Sequence, residues 1–387
     1  GSLPGGREEL TVAHSYTPGL KVTAFAVVRR ERKLPLAGSV TVKVGDAVKA
    51  ESVVARTELP GNVQTVNAAN LLGILPEDVT DCLTKPVGSP VQKGESFAES
   101  KSFFGLFRSK CVAPVTGTLE SVSAVTGQAL LREPPIPVEV DAYVDGTIVE
   151  VHPNQGVTVE TRGTFIQGIF GIGGETCGEL HVAVDSPGAT LTEAMITERE
   201  RGRIVVGGAH VTTKTIRHAV QMGVKAIVIG GFDDHDLREF LGYDLGVAIT
   251  GSEEKGITLV VTEGFGEIPM ASRTFELLKS CEGRKVSVSG ATQIRAGVLR
   301  PEIICPRLEA GLKSEAGESA GSDEGLSIGC PIRAIRQPYF GRLGVVTALP
   351  PEPTALESEA KVRVLEADFG DGAKTLLPRA NVERIES

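Results

Sequence analysis

The sequence predicts a multidomain protein of mixed α/β and all-β class: a β-rich first part, a central parallel α/β layer and a small C-terminal β module. Three observations carry this reading. A valine–glycine phrase is stated twice early in the chain. Strand-like and helix-like segments alternate from about Arg203. A Gly/Ser-rich acidic stretch then sets the C-terminal residues apart.

With 387 residues the chain exceeds one ordinary core, and two or three domains are expected. A content of 41% hydrophobic and 23% charged residues belongs to a folded protein rather than a disordered one. The 46 glycines, 22 prolines and absent tryptophan point to tight turns and short strands. A net charge of -9 argues against a general grip on nucleic-acid phosphates. The six cysteines contain no Cys-x-x-Cys pair, so neither a zinc site nor a thioredoxin-like motif is indicated. They are too sparse for a disulfide framework, and buried reduced thiols are expected. No apolar run reaches membrane-spanning length and no signal-peptide pattern is present, so no transmembrane segment and a cytoplasmic location are expected. The chain opens on Gly1-Ser2 rather than Met, which leaves its native start open.

Residues 1–35 read as an N-terminal extension, and residues 36–200 as the β-rich part with extra hairpins. Within it, VKVGDAVKAESVVA at 42–55 is echoed by KPVGSPVQKGESFA at 85–98. Val44, Gly45, Val48 and Ala55 recur as Val87, Gly88, Val91 and Ala98. Alternating valines are the period-two signature of a half-buried strand, and each Gly supplies the turn that ends it. A second pair follows: APVTGT from Ala113 is matched by AYVDGT from Ala142, each leading into a branched strand and a later Gly turn at Gly127 and Gly156.

These phrases resemble the two halves of the barrel-sandwich hybrid of biotinyl and lipoyl carrier domains. They are most similar to the N-terminal domain of RnfC-type electron-transport subunits. The resemblance spans about residues 36–160 and implies a quasi-symmetric β barrel closed by two matching halves. It also raises a membrane-complex partner, although the iron–sulfur cysteine clusters of that family are absent. Carriers present a lysine at a tight hairpin tip. Here SKSFFGLFRSKC precedes the APVTG phrase, and neither Lys101 nor Lys110 has the carrier context. No cofactor is therefore predicted, and covalent biotin or lipoate is not expected. Phe103, Phe104, Leu106 and Phe107 are costly to expose, at roughly 1.5–3 kcal/mol each, and either fold under the barrel or form a docking patch.

Residues 201–306 read as the α/β domain. RIVVGGAHV, KAIVIGGF, ITLVVTEGFG and KVSVSGATQ are strands. TTKTIRHAVQMG, DDHDLREFLG and ASRTFELLKSCEG are helices, with Gly223 placed as a stop and Asp233 as a start. Gly207, Gly208, Gly230, Gly231, Gly264 and Gly266 fall at strand carboxyl ends, where open parallel sheets bind ligands. Together with His210, Thr262, Glu263, Thr292, Gln293 and Arg295 they form the candidate site for a small anionic ligand. His235 among Asp233, Asp234 and Asp236 reads as a solvated helix start rather than a metal site, because consecutive residues cannot all face one ion. No metal site is predicted. No dinucleotide, P-loop, serine-elbow or zinc-protease motif occurs. GIFGIGGETCGEL from Gly168 is not followed by a helix pattern and reads as a glycine-rich β connection. GGAHVTTKTIRHAVQMGVKAIVIGGF distantly resembles regulatory α/β domains of the DRTGG type, which implies sensing rather than chemistry.

Residues 307–327 hold five acids against two bases amid Gly, Ser and Ala, a flexible linker. Residues 328–387 read as a five-strand module with a hairpin turn at Gly370-Asp371-Gly372. PYFGRLGVV and PRANVERIE are similar to the KOW motif and closing strand of NusG-like and ribosomal SH3-like barrels. That resemblance implies contact with RNA, ribosome or transcription partners through Arg333, Arg336, Tyr339, Phe340 and Arg342. Residues 326–387 balance eight basic with eight acidic side chains, so the module lacks a basic footprint and a protein partner is favoured.

The sequence thus supports a non-catalytic assembly or adaptor protein with a small-anion sensing site in its central domain. Two alternatives stay open: an RNA-, ribosome- or transcription-associated factor, and an enzyme acting on a phosphorylated or carboxylated small molecule.

Overall fold

The structure, a computed structural model, describes residues 20–102, 107–242, 255–293, 299–307, 326–336, 338–339, 341–350, 354–355, 361–370, 372 and 374–384. It is strand-rich, with several sheets. Its buried apolar residues form four clusters: one in the α/β layer, one around each copy of the repeated phrase, and one in the C-terminal module. No helix among the described residues is long and apolar enough to cross a membrane.

An 11-stranded sheet runs through the first part and the α/β layer alike. Its hub is the strand Gly156–Gln167, which is buried along most of its length. Along one edge this strand pairs antiparallel with Val22–Lys33, from Val22↔Ile166 to Lys33↔Gly156. The other edge is shared between Gly146–His152 and Glu302–Pro306. The residues expected to be an N-terminal extension therefore include a strand of the main sheet. The charged RRERK half obscures this, since its side chains line the surface in ion pairs such as Arg32–Glu175 at 2.6 Å.

Beyond Glu302–Pro306 the order is Lys285–Ser289, Glu175–Val182, Ile204–Val206, Ala226–Phe232, Thr258–Phe265 and Phe170–Ile172. The four strands from Glu175–Val182 to Thr258–Phe265 are parallel, and those of the layer's centre are buried on both faces. The α/β layer begins before residue 201, because Phe170–Ile172 and Glu175–Val182, the predicted glycine-rich β connection, supply two of its strands. Helix Thr213–Met222 is N-capped by Thr212 and stopped at Gly223 (φ 77°). Helix Asp234–Leu241 starts at the Asp233 cap and stops at Gly242 (φ 84°). The four parallel strands follow one another in a single direction, and the chain then returns to the far side of Glu175–Val182 as the antiparallel strand Lys285–Ser289.

The doubled phrase is real in three dimensions. Gly45 and Gly88 turn at φ 93° and 91°, and their amides donate to Ile148 and Leu119 at 2.8 and 2.7 Å. Val48 pairs with Gly146 as Val91 pairs with Gly117. The hairpin Val53–Leu59 with Ile136–Asp141 has the register of Ser96–Ser102 with Phe107–Val112. Each carries a bulge at the same step, skipping Val54 in one and Phe97 in the other. The copies do not line one closed barrel as the resemblance implied, because each packs its own apolar cluster. The second unit is inserted between Leu59 and Ile136, which are cross-strand neighbours, so it hangs from the hairpin end of the first. The corresponding hairpin end of the second unit carries Phe103, Phe104 and Leu106, which lie outside the described residues.

The C-terminal module is a five-stranded antiparallel sheet in the order Lys374–Pro378, Val364–Asp368, Leu343–Ala348, Pro331–Ala334 and Val382–Arg384.

Candidate functional site

At the strand ends the predicted rim is present, but its space is filled by main chain. A β-carbon on Gly208 would lie 2.2 Å from the Ala189 carbonyl oxygen, and one on Gly230 would lie 2.4 Å from that of Ile268. On Gly231 it would meet Gly266 O at 2.1 Å, and on Gly264 it would meet Gly341 O at 2.4 Å. Gly207 faces the Ile229 and Leu191 side chains, and Gly266 is a turn residue at φ 109°. The amides are used as well: Gly230 donates to Gly208 O at 2.8 Å and Gly231 to Ala209 O at 3.1 Å. These glycines let backbone pack on backbone, and among the described residues the amides of Gly207, Gly230, Gly231 and Gly266 are spent on main-chain carbonyls rather than left for an anion.

The polar members of the predicted site are dispersed or committed. Thr262 donates to Ile229 O at 3.3 Å within the sheet. Thr292 accepts from Gly171 N at 2.8 Å and donates to Gly171 O at 3.1 Å. Gln293 is exposed and bridges Leu299, while Arg295 lies outside the described residues. Glu263 accepts from Ala271 N at 3.0 Å and from Arg333 Nη2 at 3.0 Å.

That last contact explains what covers the rim. Arg333 belongs to the C-terminal module. It bridges Glu263 of the α/β layer and Glu383 of its own sheet, and Glu383 in turn receives Arg300 at 2.9 Å. The chain Glu263–Arg333–Glu383–Arg300 is almost wholly buried, so each charge depends on its neighbours. Ile335 reaches into the core of the α/β layer beside it. Arg333 therefore joins modules instead of meeting nucleic acid. Tyr339 stacks on Phe369 at 5.4 Å, and the Arg342 guanidinium lies 5.1 Å above the same ring. Arg336 is exposed, and Phe340 lies outside the described residues. Of the five residues expected to contact RNA or ribosome, one is buried, two are packed on Phe369 and one stands alone in solvent.

The repeated units show where a free surface does exist. In the first unit Asp145 accepts from Ala50 N at 2.7 Å; in the second Thr116 accepts from Lys93 N at 3.0 Å. These are the same contact made by different side chains. In the first unit this face lies against the main sheet: Lys285 Nζ reaches Glu51 at 2.6 Å and Asp145 at 3.0 Å, and Ser287 Oγ donates to Tyr143 O at 2.6 Å. Cys177 donates to Glu51 at 3.3 Å. The hydrogen bond from Lys285 holds Glu51 down to about 2. Burial pulls the Lys285 ammonium down, but its bonds to Glu51 and Asp145 outweigh that and raise its pKa. Burial also pushes the Cys177 thiol up, with Glu51 adding to it, so this cysteine is not an activated nucleophile.

In the second unit the matching face is bare. Ala50, Tyr143 and Asp145 are buried, whereas their counterparts Lys93, Pro114 and Thr116 are exposed. An open groove of about 910 Å³ takes in Lys93 and Thr116 but not Pro114, and is lined also by Lys85, Gln92, Glu95 and Pro134 among others. Lys85 is paired with Glu95 at 2.6 Å, while Lys93 has no carboxylate partner among the described residues. Lys110, weighed as a carrier lysine, pairs with Glu99 at 3.1 Å.

Two further clusters carry less. Ligand atoms of His235, Asp236 and Glu239 lie within 4.8 Å of one another, Glu239 joining from the next helical turn, where the sequence reading of residues 233–236 did not reach. Both carboxylates are already engaged, Glu239 by Arg217 at 2.9 Å and Asp236 by Thr213 at 3.2 Å. His210 stands 4.0 Å from Asp236. Cys281 and Cys305 meet inside the core, where their mutual hydrogen bond lowers the first thiol and raises the second. Four of the six cysteines are buried, and Cys82 and Cys177 are half-buried.

No protein-family model matches this chain, and no curated protein matches it either.

Proposed function

We propose that this chain is a non-catalytic assembly protein whose second repeated unit is its docking module. One observation carries the reading. The face that joins the first unit to the main sheet has a counterpart in the second unit with the same turn and cap, and there its Lys93 and Thr116 line a groove open to solvent. A surface already adapted to receive protein in one copy is suited to receive protein in the other. The committed side chains at the strand-end rim favour this over catalysis there, since Glu263 holds Arg333 of the C-terminal module and Thr262 and Thr292 bond main chain.

Because Leu59 and Ile136 are cross-strand neighbours, residues 60–135 can be replaced by a short turn. The test compares proteins co-purifying with the tagged chain, with this excised form and with a Thr116→Trp form that fills the groove. A defined set of proteins lost from both variants is the expected result. An unchanged set overturns the reading.

A further inference from the structure

The first unit shows what this face accepts, and its chemistry can be carried to the second. There the visitor is the strand Lys285–Ser289, which places an ammonium on Glu51 and Asp145 and a hydroxyl on the main-chain carbonyl of Tyr143. The next two side chains on one face of a strand alternate in this way, so a single extended segment makes both contacts.

In the second unit one part of the receptor persists: the cap between Lys93 N and Thr116 repeats that between Ala50 N and Asp145. The left-handed turn at Tyr143 (φ 69°) does not, because the ring of Pro114 holds φ negative. The charge does not persist. Glu51 becomes Gly94 and Asp145 becomes Thr116, so both acids are gone; Ala50 becomes Lys93, so a cation appears. Lys93 is exposed and has no carboxylate partner among the described residues, while the neighbouring Lys85 is already held by Glu95.

Resting on the docking reading above, we infer that the groove of the second unit receives an extended segment of a partner protein that carries a carboxylate where Lys285 carries its ammonium. The changed charge also disfavours exchange of the chain's own strand Lys285–Ser289 into the second groove, since Gly94 and Thr116 stand where Lys285 would need Glu51 and Asp145, with Lys93 beside them.

The test uses the full chain labelled for amide NMR and two synthetic heptapeptides of residues 285–291, one unaltered and one with Lys285→Glu. The Glu peptide is expected to shift the amides of residues 92–95 and 115–118 and to bind up to about fivefold more tightly than the Lys peptide, the range of a partly exposed ion pair. In the Lys93→Glu chain the preference is expected to reverse. Equal binding of the two peptides, shifts confined to residues 50–52 and 143–147, no shift at all, or a preference that Lys93→Glu leaves unchanged would each overturn the inference. If the excised chain loses its co-purifying proteins while neither peptide marks the groove, docking stands and the acidic partner segment falls. If the proteins are retained, docking itself falls.

Discussion

In the first repeated unit Ala50, Tyr143 and Asp145 are buried beneath the main sheet; in the second, Lys93, Pro114 and Thr116 hold the same places and face solvent. Turn glycines, strand register and even the bulge agree between the two. The backbone parts at Tyr143, left-handed at φ 69°, a conformation the ring of Pro114 forbids. The rest of the difference lies in a handful of side chains. At the first face Glu51 and Asp145 accept Lys285 and the Tyr143 carbonyl accepts Ser287, whereas Gly94, Thr116, a lysine and a proline hold these places in the second. A fold specifies where a surface is, and the side chains specify who may occupy it.

The contrast can be broken experimentally, and a buried contact sets the scale. Arg333→Met leaves Glu263 and Glu383 without their shared cation and is expected to cost about 3–5 kcal/mol, read as a lowered urea midpoint of the C-terminal module. Next comes an exchange between the two faces. Ala50→Lys forces a cation beneath the main sheet, where Ala50 is 3% exposed, and is expected to destabilise by about 2–3 kcal/mol. The reciprocal Lys93→Ala is expected to leave thermal stability unchanged, so similar losses for both would mean that the second face is covered after all.

Smaller again is the turn itself. Gly45→Ala and Gly88→Ala place a β-carbon in open space at φ 93° and 91°, so the cost is backbone strain alone, about 1–2 kcal/mol and equal in the two units. Unequal costs would show that the turns differ in their surroundings.

The smallest effect at neutral pH is that of Lys285→Met, under about 1 kcal/mol because this ion pair is partly exposed. Its signature is in acid. Glu51 is held down to about 2 from an ordinary 4.5, so its contribution is complete above about pH 4.5 and is lost as pH falls toward 2. Lys285→Met is expected to flatten that limb of the stability curve. An unaltered acid limb would detach Glu51 from Lys285.

Much of the fold was legible in the chain. The strand and helix segments of the α/β layer, the stops at Gly223 and the cap at Asp233 follow from local signals that tertiary packing did not override. The doubled phrase was legible as well, because Val, Gly and Ala recur where strand, turn and core demand them. Two things were not. The strand Val22–Lys33 was hidden by arginines that pair with acids far along the sequence, at Glu160, Glu302 and Glu175. The fate of the strand-end glycines was hidden too. Glycine permits close approach, and sequence does not say whether a ligand or a neighbouring main chain makes that approach. Here Gly341, Gly266, Ile268 and Ala189 do so. The predicted contact residue Arg333 and the predicted ligand residue Glu263 were each singled out, yet only the coordinates show that they bind one another.

Inserting the second unit between Leu59 and Ile136 also fixes an order of events during synthesis. On the ribosome the outer hairpin has only its first arm until the whole guest has emerged, so the guest can condense on its own core while its host still waits for a returning strand. The nested order of the chain lets closure proceed from the inside outward. The inner β unit is available as a finished template before the sheet that will carry it has formed.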